Sequence, residues 1–419
     1  MDKIAVVGGH TLNGIVRVSG AKNAALPILF STLLADGDHV FHNMPRLKDI
    51  DSTAELLNSL GAQCEWVGEN TFKVTVKKAT SLEAHYDLVR KMRASILCLG
   101  PLLTRYGEAV VSLPGGCAIG TRPIDLHLEG MKALGAEITL QEGYVKASAK
   151  KLKGGPLVFE TATVGGTENV LMAAVLAEGT SKIENAAKEP EIVDLAEYLI
   201  KMGAKIKGHG TSVIEVQGVE KLKAAEHSIM PDRIEGGTLL LAGAITGGEV
   251  TITDIKPEYI DSMLIKMTDA GFSFSKTKDS VTVHKCKEWQ GVDITTNPYP
   301  LFPTDLQAQY MALMTVAHGT SVITETVFEN RFMHVQELMR LGCDITSKSR
   351  VAVVRGQPGK LMAAPVMATD LRASASLVLA GLVAQGETLV GRIYHLDRGY
   401  EKLEQKLSSL GAQIRRLAE

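Results

Sequence analysis

The 419-residue chain is poor in aromatic residues, which make up 5% of it and include two tryptophans. Its formal net charge is −2. With no basic block and no interleaving of aromatic and basic residues, it lacks the footprint of a nucleic-acid binder. Its five cysteines, Cys64, Cys98, Cys117, Cys286 and Cys343, are scattered and never form a CxxC pair. That excludes a disulfide framework and a zinc site, and it suits a reducing compartment. No apolar run approaches the length of a membrane span, and the opening MDKIAVVGG carries no apolar signal region. P-loop and dinucleotide fingerprints are missing too, so Gly8, Gly9 and the GGT at 165–167 read as turns. His127, His334 and His395 have no metal-ligand spacing and read as packing or solvated residues. The expectation is a cytoplasmic protein with no metal, no cofactor, and no nucleic-acid or membrane partner.

What the chain has in quantity is glycine, 40 residues of it, much of it periodic. One phrase occurs six times: an amphipathic helix, Leu-Gly-Ala or a near relative, then alternating strand residues. Its glycines are Gly61, Gly135, Gly203, Gly271, Gly342 and Gly411, spaced 68 to 74 residues apart. Each is placed to close a helix in the left-handed conformation. A second phrase interleaves with it, an apolar helix, a glycine and a β-rich run, at Gly37, Gly107, Gly179, Gly247 or Gly248, Gly319 and Gly386. Units of about 70 residues are too long for a solenoid and imply a duplicated α/β domain. Two long helices per unit imply helices inside and sheets around them. A chain of this length exceeds one core, and six units divide as three plus three. The pattern breaks near Pro231, and the strand pair at 3–18 needs partners in the C-terminal half. The expected domains are 22–229 and 1–21 with 230–419, with a hinge at 19–22 and 229–232.

Counting back fourteen residues from the second glycine set gives Asn23, Arg93, Gly165, Arg233, Asp305 and Arg372, each in the opening turn of its helix. A polar first turn is ordinary for one helix, but six in register imply pseudo-symmetry. Helix N-termini converging between domains would form an anion site, with Lys22, Arg93, Arg233 and Arg372 adding cations. Asp305 is the exception, a carboxylate among cations. It reads as a dipole partner or as a base kept ionised by its neighbours. Thirteen residues before the first set stand Lys48, Arg122, Pro190, Glu258, Glu329 and Arg398, so Arg122 and Arg398 share a slot, one per domain. Ten residues before it, Asp51, Asp125, Asp261 and Glu401 recur, which favours a helix-dipole role for Asp125.

The stretch 114–130, PGGCAIGTRPIDLHLEG, sets Cys117 in a glycine-rich loop ahead of Arg122, with Pro123 at a helix start. Mobility and a nearby cation are what a reactive thiol needs, whereas an inert buried thiol needs neither.

These segments, together with SGAKNAALPIL at 19–29, MRAS at 92–95, PDRIE at 231–235, FPTDLQAQ at 302–309, FENRFMH at 328–334, TDLRAS at 369–374 and DRGYE at 397–401, resemble the UDP-N-acetylglucosamine 1-carboxyvinyltransferases across the whole chain. The resemblance implies a two-domain inside-out α/β barrel, three units per domain, the enolpyruvyl transferase fold. It implies transfer of the enolpyruvyl group of phosphoenolpyruvate to the 3-hydroxyl of UDP-N-acetylglucosamine, with release of phosphate through a tetrahedral ketal. In that reading Cys117 protonates the donor's methylene carbon and is the residue that fosfomycin alkylates. Lys22, Asn23, Arg122 and Arg398 hold phosphoenolpyruvate, and Asn23 and Asp305 address the sugar. The nucleotide sugar is lined by Arg93, Arg122, Pro123, Ile124, Asp125, Leu126, Thr163, Val164, Gly165 and Val327. One departure is Thr161, where some relatives carry a lysine. The partners implied are these two small molecules. The nearest alternative is an enolpyruvylshikimate-phosphate synthase, against which the cysteine loop and KNAALP argue.

Overall fold

The structure, a computed structural model, describes residues 2–113 and 124–418. Among them, strands form six four-stranded sheets, one for each repeat. The second repeat shows the pattern. Strands Glu108–Ser112, Tyr144–Ser148 and Glu137–Gln141 lie side by side, antiparallel, and the short strand Glu83–Ala84 adds parallel to the first. A helix precedes Glu108–Ser112 and another, Asp125–Ala133, precedes Glu137–Gln141, so the repeat alternates helix and strand as its glycines require. All twelve register glycines have positive φ, from 67° to 123°, and Gly247 rather than Gly248 fills the fourth slot of its set. A side chain there would strain the backbone, so the periodicity in the sequence is a periodicity of left-handed turns.

Two kinds of helix result. Those leading each repeat are apolar all round and buried: Arg233–Ile245 is buried at every residue, and Val164–Ala174 at every residue from Gly166 onward. Uniform burial is what an all-apolar surface demands. The second helices are one-sided. In Lys48–Ser59 the buried residues Asp49, Ile50, Thr53, Leu56 and Leu57 fall on one face, and the helix lies on the edge of its unit. The leading helices are thus buried within their units, while the second helices keep one face exposed.

The contacts divide the described residues into two compact units, 2–19 with 231–418, and 20–113 with 124–230. Each closes on itself by borrowing a strand. In the unit 20–230, Glu226–Ser228 leaves the third repeat to lie parallel to Gly37–His42 of the first. The other unit closes with the N-terminal strands, which do not pair with each other. Lys3–Val7 enters between Glu387–Gly391 and Gln413–Leu417 of the sixth repeat, and Asn13–Arg17 lies parallel to Glu249–Thr253 of the fourth. The single strand pair expected at 3–18 is therefore split between two sheets. Burial explains the division: Ile4, Ala5 and Val6 are apolar and fully buried as a central strand requires, whereas Asn13–Arg17 is mostly exposed and suits an edge.

Candidate active site

The register positions at the inner-helix starts fall where counting places them. Arg93 and Arg233 are the first residues of their helical segments, and Asn23, Gly165, Asp305 and Arg372 are the second. The chemistry at these starts differs from repeat to repeat.

In the unit 231–418, Asp232 and Asp370 are N-caps. Asp232 accepts from the amides of Ile234 and Glu235 at 2.8 and 3.1 Å, and Asp370 from those of Arg372 and Ala373 at 2.7 and 3.0 Å. In the unit 20–230, Thr163 caps its helix by accepting from the amide of Gly166 at 3.2 Å. No side chain caps the helices that begin at Lys22 and Arg93. This corrects the picture of six equivalent anion-attracting ends, because three ends already have their first-turn amides engaged by an oxygen of the chain.

Asp305 lies in the 3₁₀ turn Thr304–Leu306 that opens the fifth inner helix. One carboxylate oxygen accepts from Nη2 of Arg331 at 2.7 Å and the other from Nη2 of Arg372 at 2.9 Å. Burial on its own pushes the Asp305 carboxyl up, but Arg372 and Arg331 outweigh it and hold the group well below the usual carboxylate range. Arg372 is 2% exposed and lies against the Tyr400 ring, 5.4 Å from its centroid. Beneath them Gln309 ties the inner helices together. Its Nε2 has two protons for three acceptors within reach, Tyr400 Oη at 2.9 Å, the Asp305 carbonyl at 3.0 Å and Thr238 Oγ1 at 3.1 Å. The carboxylate is ionised and fixed in direction.

Arg398 ends the turn Leu396–Arg398 and is half-buried. Burial first, and then the charge of Arg398, lower the pKa of the neighbouring His395. Val327 is 36% exposed, three residues after the strand Thr320–Thr324.

In the unit 20–230, Lys22 heads its helix and is buried, with Nζ 3.3 Å from Asp49 Oδ2. Asn23 and Arg93 are half-buried. Thr163, exposed Val164 and Gly165 form the start of the third inner helix. A Cβ at Gly165 would stand 2.9 Å from the His127 ring, so only glycine lets that ring approach. His127 in turn meets Asn169 Nδ2 at 3.2 Å. Ile124 is buried, Asp125 opens the helix Asp125–Ala133 with its side chain exposed, and Leu126 is half-buried. Cys117, Arg122 and Pro123 lie outside the described residues. Thr161, at the position of the missing lysine, is exposed.

Three residues given no role by the sequence reading enter here: Arg331, Glu325 and Asp49. Arg331 stands within FENRFMH, but nothing in its spacing links it to Asp305. Glu325 had a usable signal. It continues the buried alternation Ser321, Ile323, and a carboxylate on the inner face of a strand requires partners. Among the described residues no cluster of three or more metal-ligating side chains occurs, and no helix is long and apolar enough to cross a membrane.

The repeated sheets around buried helices, with a carboxylate and several cations at the helix starts, describe the architecture of the carboxyvinyl transferases. The family model of EPSP synthase (3-phosphoshikimate 1-carboxyvinyltransferase) matches residues 6–407, and the chain belongs to that family. Among individual relatives it is 73% identical over 414 residues to the UDP-N-acetylglucosamine 1-carboxyvinyltransferase of Bdellovibrio bacteriovorus, covering 99% of this chain and 100% of the relative. It is 57% identical to the protein of the same name from Thermodesulfovibrio yellowstonii, each chain covered in full. Among solved structures, the enolpyruvyl transferase NikO from Streptomyces tendae superimposes with a TM-score of 0.89 at 26% identity, over 100% of this chain and 99% of that one. An EPSP synthase from Acinetobacter baumannii gives 0.75 at 17% identity over both full lengths, a likeness of fold alone.

Proposed function

We propose that this chain transfers the enolpyruvyl group of phosphoenolpyruvate to the 3-hydroxyl of UDP-N-acetylglucosamine and releases phosphate, the first committed step of peptidoglycan precursor synthesis. The observation that carries the choice of acceptor is the 73% identity over 99% of the chain to a protein named for that activity. Asp305, gripped by two guanidiniums, supports the chemistry.

A proton from Cys117 adds to the donor's methylene carbon and leaves electron deficiency at the adjacent carbon. The sugar hydroxyl attacks that carbon, and its proton passes to Asp305. The phosphate then leaves with its bonding pair and the methyl carbon gives a proton back, which restores the double bond in the product. A carboxylate with so little proton affinity is a weak base. It suffices because an alcohol becomes strongly acidic as its oxygen bonds to an electron-poor carbon. The reading therefore makes carbon protonation the leading event. Lys22, Arg122 and Arg398 bind the donor's phosphate and carboxylate, and Asn23 and Asp305 orient the sugar. Arg93, the run 122–126, residues 163–165 and Val327 line the nucleotide sugar. The roles fall on residues of both units.

Phosphate release tests this reading. Purified protein with phosphoenolpyruvate should release phosphate when given UDP-N-acetylglucosamine and should release none with shikimate 3-phosphate. The reverse pattern overturns the acceptor assignment, and silence with both overturns the enzyme.

A further inference from the structure

Glu325 is a carboxylate with no exposed surface, just beyond the strand Thr320–Thr324. Four donors converge on it. One oxygen accepts from Thr296 Oγ1 at 2.7 Å and from the amides of Val327 and Phe328 at 2.8 and 3.2 Å, and the other accepts from Thr304 Oγ1 at 2.7 Å. Only an ionised carboxylate offers acceptors alone at both ends, so no neutral side chain of this shape serves all four donors.

The consequence lies one bond further out. A threonine hydroxyl has one proton, and both threonines spend theirs on Glu325, so both turn lone pairs away from it. Thr296 uses its lone pair to accept the Thr326 amide at 3.0 Å. Thr304 uses its own to accept Arg331 Nη1 at 2.8 Å, and the other arm of the same guanidinium donates to Asp305 at 2.7 Å. Arg331 is 6% exposed, and its fork is held at one tip by Thr304 and at the other by Asp305. The negative charge of Glu325 also balances this arginine in a cluster of two carboxylates and two guanidiniums. Burying an unneeded carboxylate would cost several kcal/mol. A turn at 325–328 by itself needs only a short polar cap.

We propose that Glu325 is a positioning residue for the reaction. Acting through the Thr304 hydroxyl, it fixes Arg331 against Asp305 and so sets the direction of the carboxylate that receives the acceptor's proton. The proposal rests on the reading of Asp305 as that base. In E325Q the amide oxygen can still serve Thr296 and the two backbone amides. Its NH₂ then faces Thr304, whose proton must turn toward Arg331, a group with donors only. The link opens while the turn at 325–328 stays closed.

The test uses E325Q, T304V, T304S and their combination in full-length protein, with kcat and both KM values measured beside thermal unfolding. Displacing a reacting group by about 1 Å can cost about 100-fold in rate. E325Q and T304V should each lower kcat about 10- to 100-fold while KM for UDP-N-acetylglucosamine changes less than about threefold. T304S, which keeps the hydroxyl, should stay near wild type. E325Q/T304V should be no worse than the poorer single variant, because both cut one relay. Wild-type kcat in T304V overturns the proposal, as does full additivity in the double variant. Should E325Q fail to fold, the T304V and T304S pair decides, since both keep the Glu325 carboxylate with its bonds to Thr296 and to the amides of Val327 and Phe328 and differ only in the hydroxyl under test. D305N in the same assay separates the two readings. If D305N keeps turnover, the base assignment fails. If D305N is inactive and T304V is not, the relay fails.

Discussion

Lys22 and Asp305 both stand in the opening turns of buried helices, yet their charges are set up in opposite ways. Lys22 is a cation facing one carboxylate, Asp49, at 3.3 Å. Asp305 is an anion held by two guanidiniums at 2.7 and 2.9 Å. A separation of 3.3 Å is long for a charge-assisted bond, whereas 2.7 and 2.9 Å are ordinary for one. Arg372, one of the two guanidiniums on Asp305, also lies against the Tyr400 ring. The caps follow the repeats and not this contrast: no side chain caps the helix starts of the first, second and fifth repeats, whereas Thr163, Asp232 and Asp370 cap those of the third, fourth and sixth.

Substituting the two carboxylates sharpens this contrast most. D305N should lower turnover on the order of 100- to 10,000-fold, the usual cost of losing a general base. It should also lower the unfolding temperature, because Arg372 stays buried without its counter-charge, a loss of about 3 kcal/mol. D49N should change the phosphoenolpyruvate KM by less than about tenfold, since the contact between Lys22 and Asp49 is long. Steady-state kinetics and melting curves check both. Equal losses in the two variants would erase the distinction between them.

Cys117 comes next. C117S should nearly abolish turnover because a serine hydroxyl is far too weak an acid, and C117D should restore part of it. Selective alkylation offers a second route. Burial pushes the thiols of Cys64, Cys98 and Cys343 up to about 12, so at pH 7.5 only a trace of each is thiolate. A small anionic electrophile should label Cys117 before these three, as read by peptide mass spectrometry. Labelling spread evenly over all cysteines would remove the reactive-thiol assignment.

R122K and R398K keep the charge but lose the planar fork. Each should weaken phosphoenolpyruvate binding by about 1–3 kcal/mol, the range for hydrogen bonds to charged groups. Wild-type donor kinetics in either variant would take that residue out of the site.

The smallest effect near neutral pH concerns acid stability, where the two units should behave alike. Each holds a buried histidine, His39 and His334, whose pKa burial lowers to about 4. An unfolded histidine titrates near 6.5, so the unfolded chain binds protons first. The stabilisation is therefore complete above about pH 6.5 and disappears as the pH falls toward 4, amounting to about 3 kcal/mol for His39. H39Q and H334Q should each flatten the fall in melting temperature across that window. A melting temperature constant from pH 7 to 4 in the wild type would contradict the burial of both rings.

The repeat architecture could be read from the chain because left-handed turns leave a residue-type signature: glycine at twelve fixed places. The helix starts followed from counting back. What stayed hidden were partnerships between distant segments. Arg331 meets Asp305 across 26 residues, and Thr304 meets Glu325 across 21, on irregular chain that no periodicity marks. Asp232 and Asp370 carried a visible cap signature, Asp just before an apolar helical run, but their effect on the anion-binding ends became evident only from the hydrogen bonds. Arg372 was legible as a cation at a helix start. Its engagement with Asp305 depends on how two inner helices face each other, which the sequence pattern does not determine.

The placement of the strand Lys3–Val7 also bears on how the chain is made. It is made about 380 residues ahead of the strands it belongs between, Glu387–Gly391 and Gln413–Leu417. Residues 20–230 contain every strand their own three sheets need, so that unit can fold while synthesis continues. The other unit cannot. Its strand Lys3–Val7 must wait for its neighbours while the residues between them are made, and Ile4, Ala5 and Val6, apolar and destined for full burial, stay available to wrong partners throughout that interval.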